Sequence, residues 1–193
     1  MYLSSLFTLN LQPLNKKMDS AKIILVGYMG SGKSAIGNKL EKTLDIQFID
    51  LDNYIEFTEG KAISKIFETK GEMYFRAVER KCLEQLMKKP ESLVISLGGG
   101  TPCYYDNMDY ILNFQNTTSI YLSANVNTLS HRLLNEKESR PMIAHLNDLD
   151  EIKEFIGKHL FERNPFYQKA QYQINTDDKV IDELIKEIKV VLA

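Results

Sequence analysis

The sequence predicts an α/β fold: a parallel sheet with helices on both faces. Three observations carry this. The strand candidates are short continuous apolar runs, as expected for strands buried on both sides, rather than alternating ones. These runs alternate along the chain with segments of helical period. The first run passes straight into a glycine-rich turn that opens a helix. In sheets of this kind ligands sit beyond the carboxyl ends of the strands, so the loops after the strands are where chemistry is expected.

The elements follow in order. Lys22-Ile23-Ile24-Leu25-Val26 is the strongest strand, and it ends in the turn from Gly27 to Gly32. Ile36, Leu40 and Leu44 then recur every four residues, the mark of a helix. Gln47-Phe48-Ile49 is a second short strand that ends at Asp50. Residues 64–88 read as helical, with Phe75, Val78, Cys82 and Leu86 on one face. Ser92-Leu93-Val94-Ile95-Ser96-Leu97 is a third strand, stopped by three glycines, and Ser119-Ile120-Tyr121-Leu122 a fourth. Leu129 and Leu133 mark a helix. Residues 135–147 are polar, contain Pro141 and have no clear period, so they read as a loop. Residues 151–161 are helical, Tyr172-Gln173-Ile174 is a short fifth strand, and Val180, Leu184, Ile188 and Val191 stripe a last amphipathic helix.

Composition bounds the function. The 193 residues fit one ordinary domain, with 44% hydrophobic and 26% charged residues. A formal net charge of -2 gives no electrostatic case for binding bulk nucleic acid. Five of the 24 basic residues are arginines, at positions 76, 80, 132, 140 and 163, and arginine is the residue for bidentate recognition of carboxylates and phosphates. Cys82 and Cys103 make neither a disulfide framework nor a zinc site. His131, His145 and His159 match no metal or triad spacing and read as surface or packing residues. The first twenty residues lack a basic leader region and a small-residue cleavage site. No stretch is long and apolar enough for a transmembrane helix. The expectation is therefore a cytoplasmic protein with one domain over residues 21–193. Residues 1–20 are expected to be a flexible extension, or the product of an upstream mis-assigned start before Met18.

Gly27-Tyr28-Met29-Gly30-Ser31-Gly32-Lys33-Ser34 matches G-x-x-x-x-G-K-[ST], with a strand before it and a helix after. Backbone N–H groups of such a loop surround phosphate oxygens, and the helix N-terminus adds a favourable dipole. Lys33 is expected to reach the outer phosphates and Ser34 to bind Mg²⁺. Asp50 and Asp52, two apart at a strand end, are expected to point the same way. One can hold Mg²⁺ through water; the other can orient or deprotonate an acceptor hydroxyl. Arg76 has Glu72 four residues before it and Glu79 three after it, so either carboxylate could brace the guanidinium. Arg80 with Glu84 is read as structural. Gly98-Gly99-Gly100 at the end of the third strand suits a backbone that a small ligand approaches closely.

This ordered series resembles the shikimate kinase family, P-loop small-molecule kinases with a nucleoside-monophosphate-kinase-like fold. The resemblance runs from about Lys22 to the C-terminus. It rests on the loop from Gly27 to Ser34, Asp50-x-Asp52 with Ile55-Glu56, Phe75-Arg76-x-x-Glu79, the triple glycine, Arg140-Pro141, and Arg163 four residues before Tyr167. It implies a three-layer fold with a five-stranded parallel sheet of order 2-3-1-4-5, and ATP-dependent phosphorylation of the shikimate 3-hydroxyl by a monomer. In that reading Gly30, Ser31, Gly32, Lys33, Ser34 and Ala35 hold ATP, and Asp50 with Ser34 supports Mg²⁺. Asp52 contacts the acceptor hydroxyls, as a base or only to orient them. Arg76 and Arg163 clamp the carboxylate, and the backbone of Gly98, Gly99 and Gly100 lines the acceptor site. Arg140 belongs to a lid over residues 135–147 and reaches the phosphates; Arg132 lies near the adenine, as does the segment Asn175-Thr176-Asp177. Met142-Ile143 stands where the family often has Leu-Leu, a volume-conserving change.

Three alternatives stay open on the residues alone. A GTPase switch is disfavoured because no Asn-Lys-x-Asp segment is present. Another small-molecule kinase, such as one acting on gluconate, would also need arginines for a hydroxylated carboxylate. A catalytically silent ATP-binding module is disfavoured by the intact Lys33, Asp52, Arg76 and Arg163.

Overall fold

The computed structural model describes residues 20–193 except 138, 139, 141 and 147. Nearly all of the expected extension, and residues 138, 139, 141 and 147 of the expected lid, therefore lie outside the described residues. Five strands, β1 (Lys22–Val26), β2 (Phe48–Asp50), β3 (Leu93–Ser96), β4 (Thr117–Ser123) and β5 (Tyr172–Asn175), form one sheet in the order β2-β3-β1-β4-β5. Every pairing is parallel. The helices are α1 (Lys33–Leu44), α2 (Leu51–Glu59), α3 (Ile63–Met87), α4 (Asn107–Leu112), α5 (Val126–Leu134), α6 (Leu149–Tyr167) and α7 (Ile181–Leu192).

The sheet separates two cores because side chains alternate across it. Ile23 and Leu25 of β1 face one way, against Ile36 and Leu40 of α1 and Leu184, Ile185 and Ile188 of α7. Ile24 and Val26 face the other way, into the larger core built from α2 to α6. This explains why the strands read as unbroken apolar runs: both faces are covered. Lys22, 1% exposed, is the buried charged residue of β1. Its ammonium donates to the carbonyls of Ser20, Lys89 and Glu91 at 3.3, 2.9 and 2.6 Å, so the buried charge is satisfied at the amino edge of the sheet, away from the ligand side.

Three differences from the sequence expectations concern local geometry. Asp50 and Asp52 are not two residues of one extended strand: Asp50 closes β2 and caps α2, and Asp52 lies in the first turn of that helix. The Asp50 carboxylate accepts from the backbone N–H groups of Asp52 and Asn53, and this capping turns the chain sharply into the helix. The long helix α3 breaks at Gly71, whose φ of 77° lies in the left-handed region. The short helix α4 and a 3-10 turn over Thr101–Cys103 follow the triple glycine, where no apolar period announces them. Residues 135–137, 140 and 142–146 form turns rather than a regular element, as expected. Ile143 is fully buried in the larger core and anchors this segment.

Candidate functional site

The site lies at the carboxyl ends of β1, β2 and β3. A cavity of about 550 Å³ opens there. Its lining includes Gly30, Ser31, Gly32, Lys33, Ser34 and Ala35 on one side, Asp50, Asp52, Gly98 and Gly99 on another, and Arg132 and Arg140 above. Sequence-distant candidates thus meet in one space.

The phosphate loop keeps its shape through glycines at positive φ, Gly30 at 79° and Gly32 at 95°, which exempt it from the Cβ clash. Lys33 folds back over the loop, its ammonium donating to the carbonyls of Gly27 (2.8 Å) and Tyr28 (3.0 Å). Desolvation between these walls pulls its pKa down to about 8, with Arg140 and Arg163 acting in the same direction against the attraction of Asp52 and Asp50. An anionic ligand would reverse that shift and hold the lysine charged. The Ser31 hydroxyl is buried and, among the described residues, has no hydrogen-bond partner, which suits a loop that receives phosphate oxygens.

Asp50 works in two directions. One oxygen caps α2; the other lies 3.4 Å from the Ser34 hydroxyl. A hydroxyl and a carboxylate side by side are hard oxygen donors of the kind Mg²⁺ takes, with water and phosphate oxygens completing its shell. Among the described residues no group of three or more His, Cys, Asp or Glu side chains could cage a metal by itself. The donor set therefore fits a cation shared with a phosphate ligand.

The three glycines each face a different candidate side chain. A Cβ on Gly98 would lie 2.7 Å from the Asp52 carboxylate, one on Gly99 3.5 Å from the Arg163 guanidinium, and one on Gly100 3.0 Å from that of Arg76. The turn is thus a floor on which one carboxylate and two guanidinium groups rest. Gly98→Ala is expected to displace Asp52 and lower kcat/KM for the acceptor by about 10²-fold with little change in melting temperature, since a misplacement near 1 Å has that effect on a positioned group. Steady-state kinetics and a thermal melt check it.

Asp52 itself is partly buried, and its carboxyl is pushed up to about 6. Burial is the main cause, reinforced by Asp50 and Glu79 and opposed by Lys33 and Arg76. Arg76 is braced by both neighbouring carboxylates: Glu72 accepts from it at 3.3 Å and the buried Glu79 at 2.9 Å. Its guanidinium also lies 3.7 Å from the centre of the Tyr104 ring, whose hydroxyl donates to Glu72. Arg163 stands on α6, one turn before Tyr167, and the Tyr167 hydroxyl donates to the Gly99 carbonyl. Arg76 and Arg163 thus stand against Gly100 and Gly99, next to the cavity-lining Gly98 and Asp52, but neither guanidinium lines the cavity itself.

Arg132 donates to the Gly30 carbonyl at 3.1 Å and to Thr176 at 3.2 and 2.9 Å, which ties the phosphate loop to the segment after β5. Arg140 reaches the cavity while paired to Glu136. Arg80 is held by Glu84, Asp106 and Asn107. No sequence signal marks Tyr104 as a platform, or Thr101, which donates to Glu79 at 2.6 Å, because both sit in the irregular turn after the glycines.

Comparison with known proteins bears on this geometry. The family model described as Shikimate kinase matches residues 29–193. The shikimate kinase of Flavobacterium johnsoniae is 44% identical over 172 residues, covering 89% of this chain and 99% of that protein. A crystal structure of shikimate kinase from Bacteroides thetaiotaomicron superposes with a TM-score of 0.82 at 36% identity, over 89% of this chain and 98% of that one. Another, from Acinetobacter baumannii in complex with shikimate, gives 0.80 at 29% identity, over 93% and 97%. The match runs from the phosphate loop to the C-terminus and takes in nearly the whole of each relative, so the chain belongs to the shikimate kinase family.

Proposed function

We propose that this protein transfers the γ-phosphate of ATP to the 3-hydroxyl of shikimate, giving 3-phosphoshikimate and ADP, in the biosynthesis of chorismate and the aromatic amino acids. The observation that carries the reading is the triple-glycine floor: it brings Asp52, Arg76 and Arg163 together beside a phosphate-binding loop. Shikimate is a small carboxylate with three hydroxyls. Two guanidinium groups on different elements, α3 and α6, fix both its position and its rotation. Its hydroxyls then lie toward Asp52, and beyond that carboxylate is the phosphate loop.

Phosphoryl transfer depends mostly on positioning and on charge neutralisation. Lys33 and Arg140 supply fixed positive charge where the transferring group passes. Ser34 and Asp50 would hold Mg²⁺, which neutralises phosphate charge when bound. Asp52 accepts the hydroxyl's hydrogen bond and orients it toward the donor. Arg132 and Thr176 close the opposite end, toward the base of the nucleotide. Residues 135–147, with Arg140, act as a lid that excludes water as a competing acceptor. The reading includes action as a monomer. No helix among the described residues is long and apolar enough to cross a membrane, in keeping with action in the cytoplasm.

A coupled ADP-release assay with Mg²⁺ tests the reading. Turnover is expected with shikimate and not with gluconate. Folded protein that binds ATP but releases no ADP on addition of shikimate would be a binding module instead.

A further inference from the structure

Tyr28 is the second residue of the phosphate loop, and its large side chain is 1% exposed. Three contacts leave it in three directions. Its carbonyl accepts from the Lys33 ammonium at 3.0 Å. Its ring lies 5.6 Å from the Arg163 guanidinium carbon, within reach of a cation–π attraction. Its hydroxyl is hydrogen-bonded to Nδ1 of His159 at 2.9 Å. His159 stands one helical turn before Arg163, on the same face of α6. The pair therefore joins the loop that binds the phosphate donor to the helix that carries the acceptor's anchor.

We infer that Tyr28 and His159 act as one positioning unit that fixes Arg163, and with it the acceptor's carboxylate, relative to the phosphate loop. This rests on the reading of Arg163 as a carboxylate anchor. Tyr28 presents its ring to the Arg163 guanidinium and its carbonyl to Lys33, and neither Tyr28 nor His159 lines the cavity. The imidazole is held from its sides by the Phe155 ring, with centroids 4.2 Å apart, and by Tyr28 edge-on. Its pKa is lowered by burial and then by Arg163, with Glu162 opposing, so it stays a neutral partner beside the guanidinium. A second cation at that place would repel Arg163 from the position its anchor role requires. Independent ties keep α6 on the body of the protein when the pair is broken: Tyr121 donates to Asn164 at 3.0 Å and Tyr167 to the Gly99 carbonyl. Loss of the pair should therefore loosen the aim of Arg163 without unfolding the helix.

The test uses the full chain with Mg–ATP and shikimate, and the variants Tyr28→Phe, His159→Phe, the two combined, and His159→Asn. Loss of one hydrogen bond corresponds to about a fivefold change, so each Phe variant is expected to raise the shikimate KM about fivefold, with the ATP KM within about twofold. Because the two residues act through one contact, the double variant is expected to be no worse than either single one. His159→Asn places an amide near the position of Nδ1 and is expected to restore most of the loss. Multiplying effects in the double variant, equal rises in both KM values, or an unmoved shikimate KM would each overturn the positioning unit. Should His159→Phe fail to fold, Tyr28→Phe against His159→Asn decides on the same readouts. Wild-type protein that does not phosphorylate shikimate overturns the acceptor reading and this inference with it. Wild-type turnover with unmoved variants overturns the inference alone.

Discussion

Asp52→Asn is expected to lower kcat by about 10² to 10⁴-fold while leaving ATP affinity nearly unchanged. The size within that range is informative. Asparagine keeps an oxygen that can orient a hydroxyl but cannot take up its proton at neutral pH. A loss near 10²-fold means that Asp52 mainly orients; a loss near 10⁴-fold means that it is the base. Equal loss of turnover and ATP affinity would contradict an acceptor-side role.

The same substitution is expected to raise the thermal stability of protein free of nucleotide and metal. The Asp52 carboxyl is pushed up to about 6 from a reference of 3.8, chiefly by burial. The folded state therefore binds this proton more tightly than the unfolded chain does. Ionised Asp52 costs the fold about 1–3 kcal/mol at pH 8, and that cost disappears as the pH falls through 6 toward 4. Asparagine carries no charge at any of these pH values. Its advantage should be largest near pH 8, about 2–12 °C in melting temperature, and vanish near pH 4. A lower melting temperature at pH 8 would mean that attraction to Lys33 and Arg76 outweighs the burial of the charge. A carboxylate proposed to meet the acceptor would then be a place where stability is given up for function.

What the sequence made legible follows from where the signal is local. The five strands and the phosphate loop are written in short windows: an apolar run buried on both faces, then glycines whose φ values only glycine adopts freely. The alternation of these windows with helical periods is enough to expect a parallel sheet, and the family resemblance supplied its order. The boundaries that went wrong are those set by a tertiary contact. Helix α2 begins at Asp50 because that carboxylate caps it, and the cap looks identical in sequence to a strand-end acidic pair. Gly71 interrupts α3 inside an otherwise continuous period. In the site, Arg76 and Arg163 were visible as arginines among carboxylates and tyrosines. That they rest on adjacent glycines, and that Tyr28 links one of them to Lys33, requires tertiary contacts between residues well separated in the chain, the Tyr28–His159 pair by 131 positions.

Arg76→Ala is expected to raise the acceptor KM about 10- to 100-fold, the range for losing a charge-assisted contact to a carboxylate. It is also expected to cost about 3 kcal/mol of stability. The two effects have separate causes, and a second substitution separates them. Glu79 is 1% exposed, and one of its oxygens accepts from Thr101 while the other accepts from Arg76. Without the guanidinium it becomes a buried carboxylate whose remaining hydrogen-bond partner among the described residues is the Thr101 hydroxyl. Adding Glu79→Gln removes that charge, so the double variant should recover much of the lost stability in a denaturant melt. Its KM should not recover, because the group that meets the acceptor's carboxylate is still missing. Recovery of both would make Arg76 a structural residue that merely neutralises Glu79. A stability loss with an unmoved KM would leave Arg163 as the single anchor. The bracing by Glu72, Glu79 and the Tyr104 ring argues against that outcome: a guanidinium held by two carboxylates and an aromatic ring beside Gly100 has already given up the side-chain freedom that binding would otherwise remove.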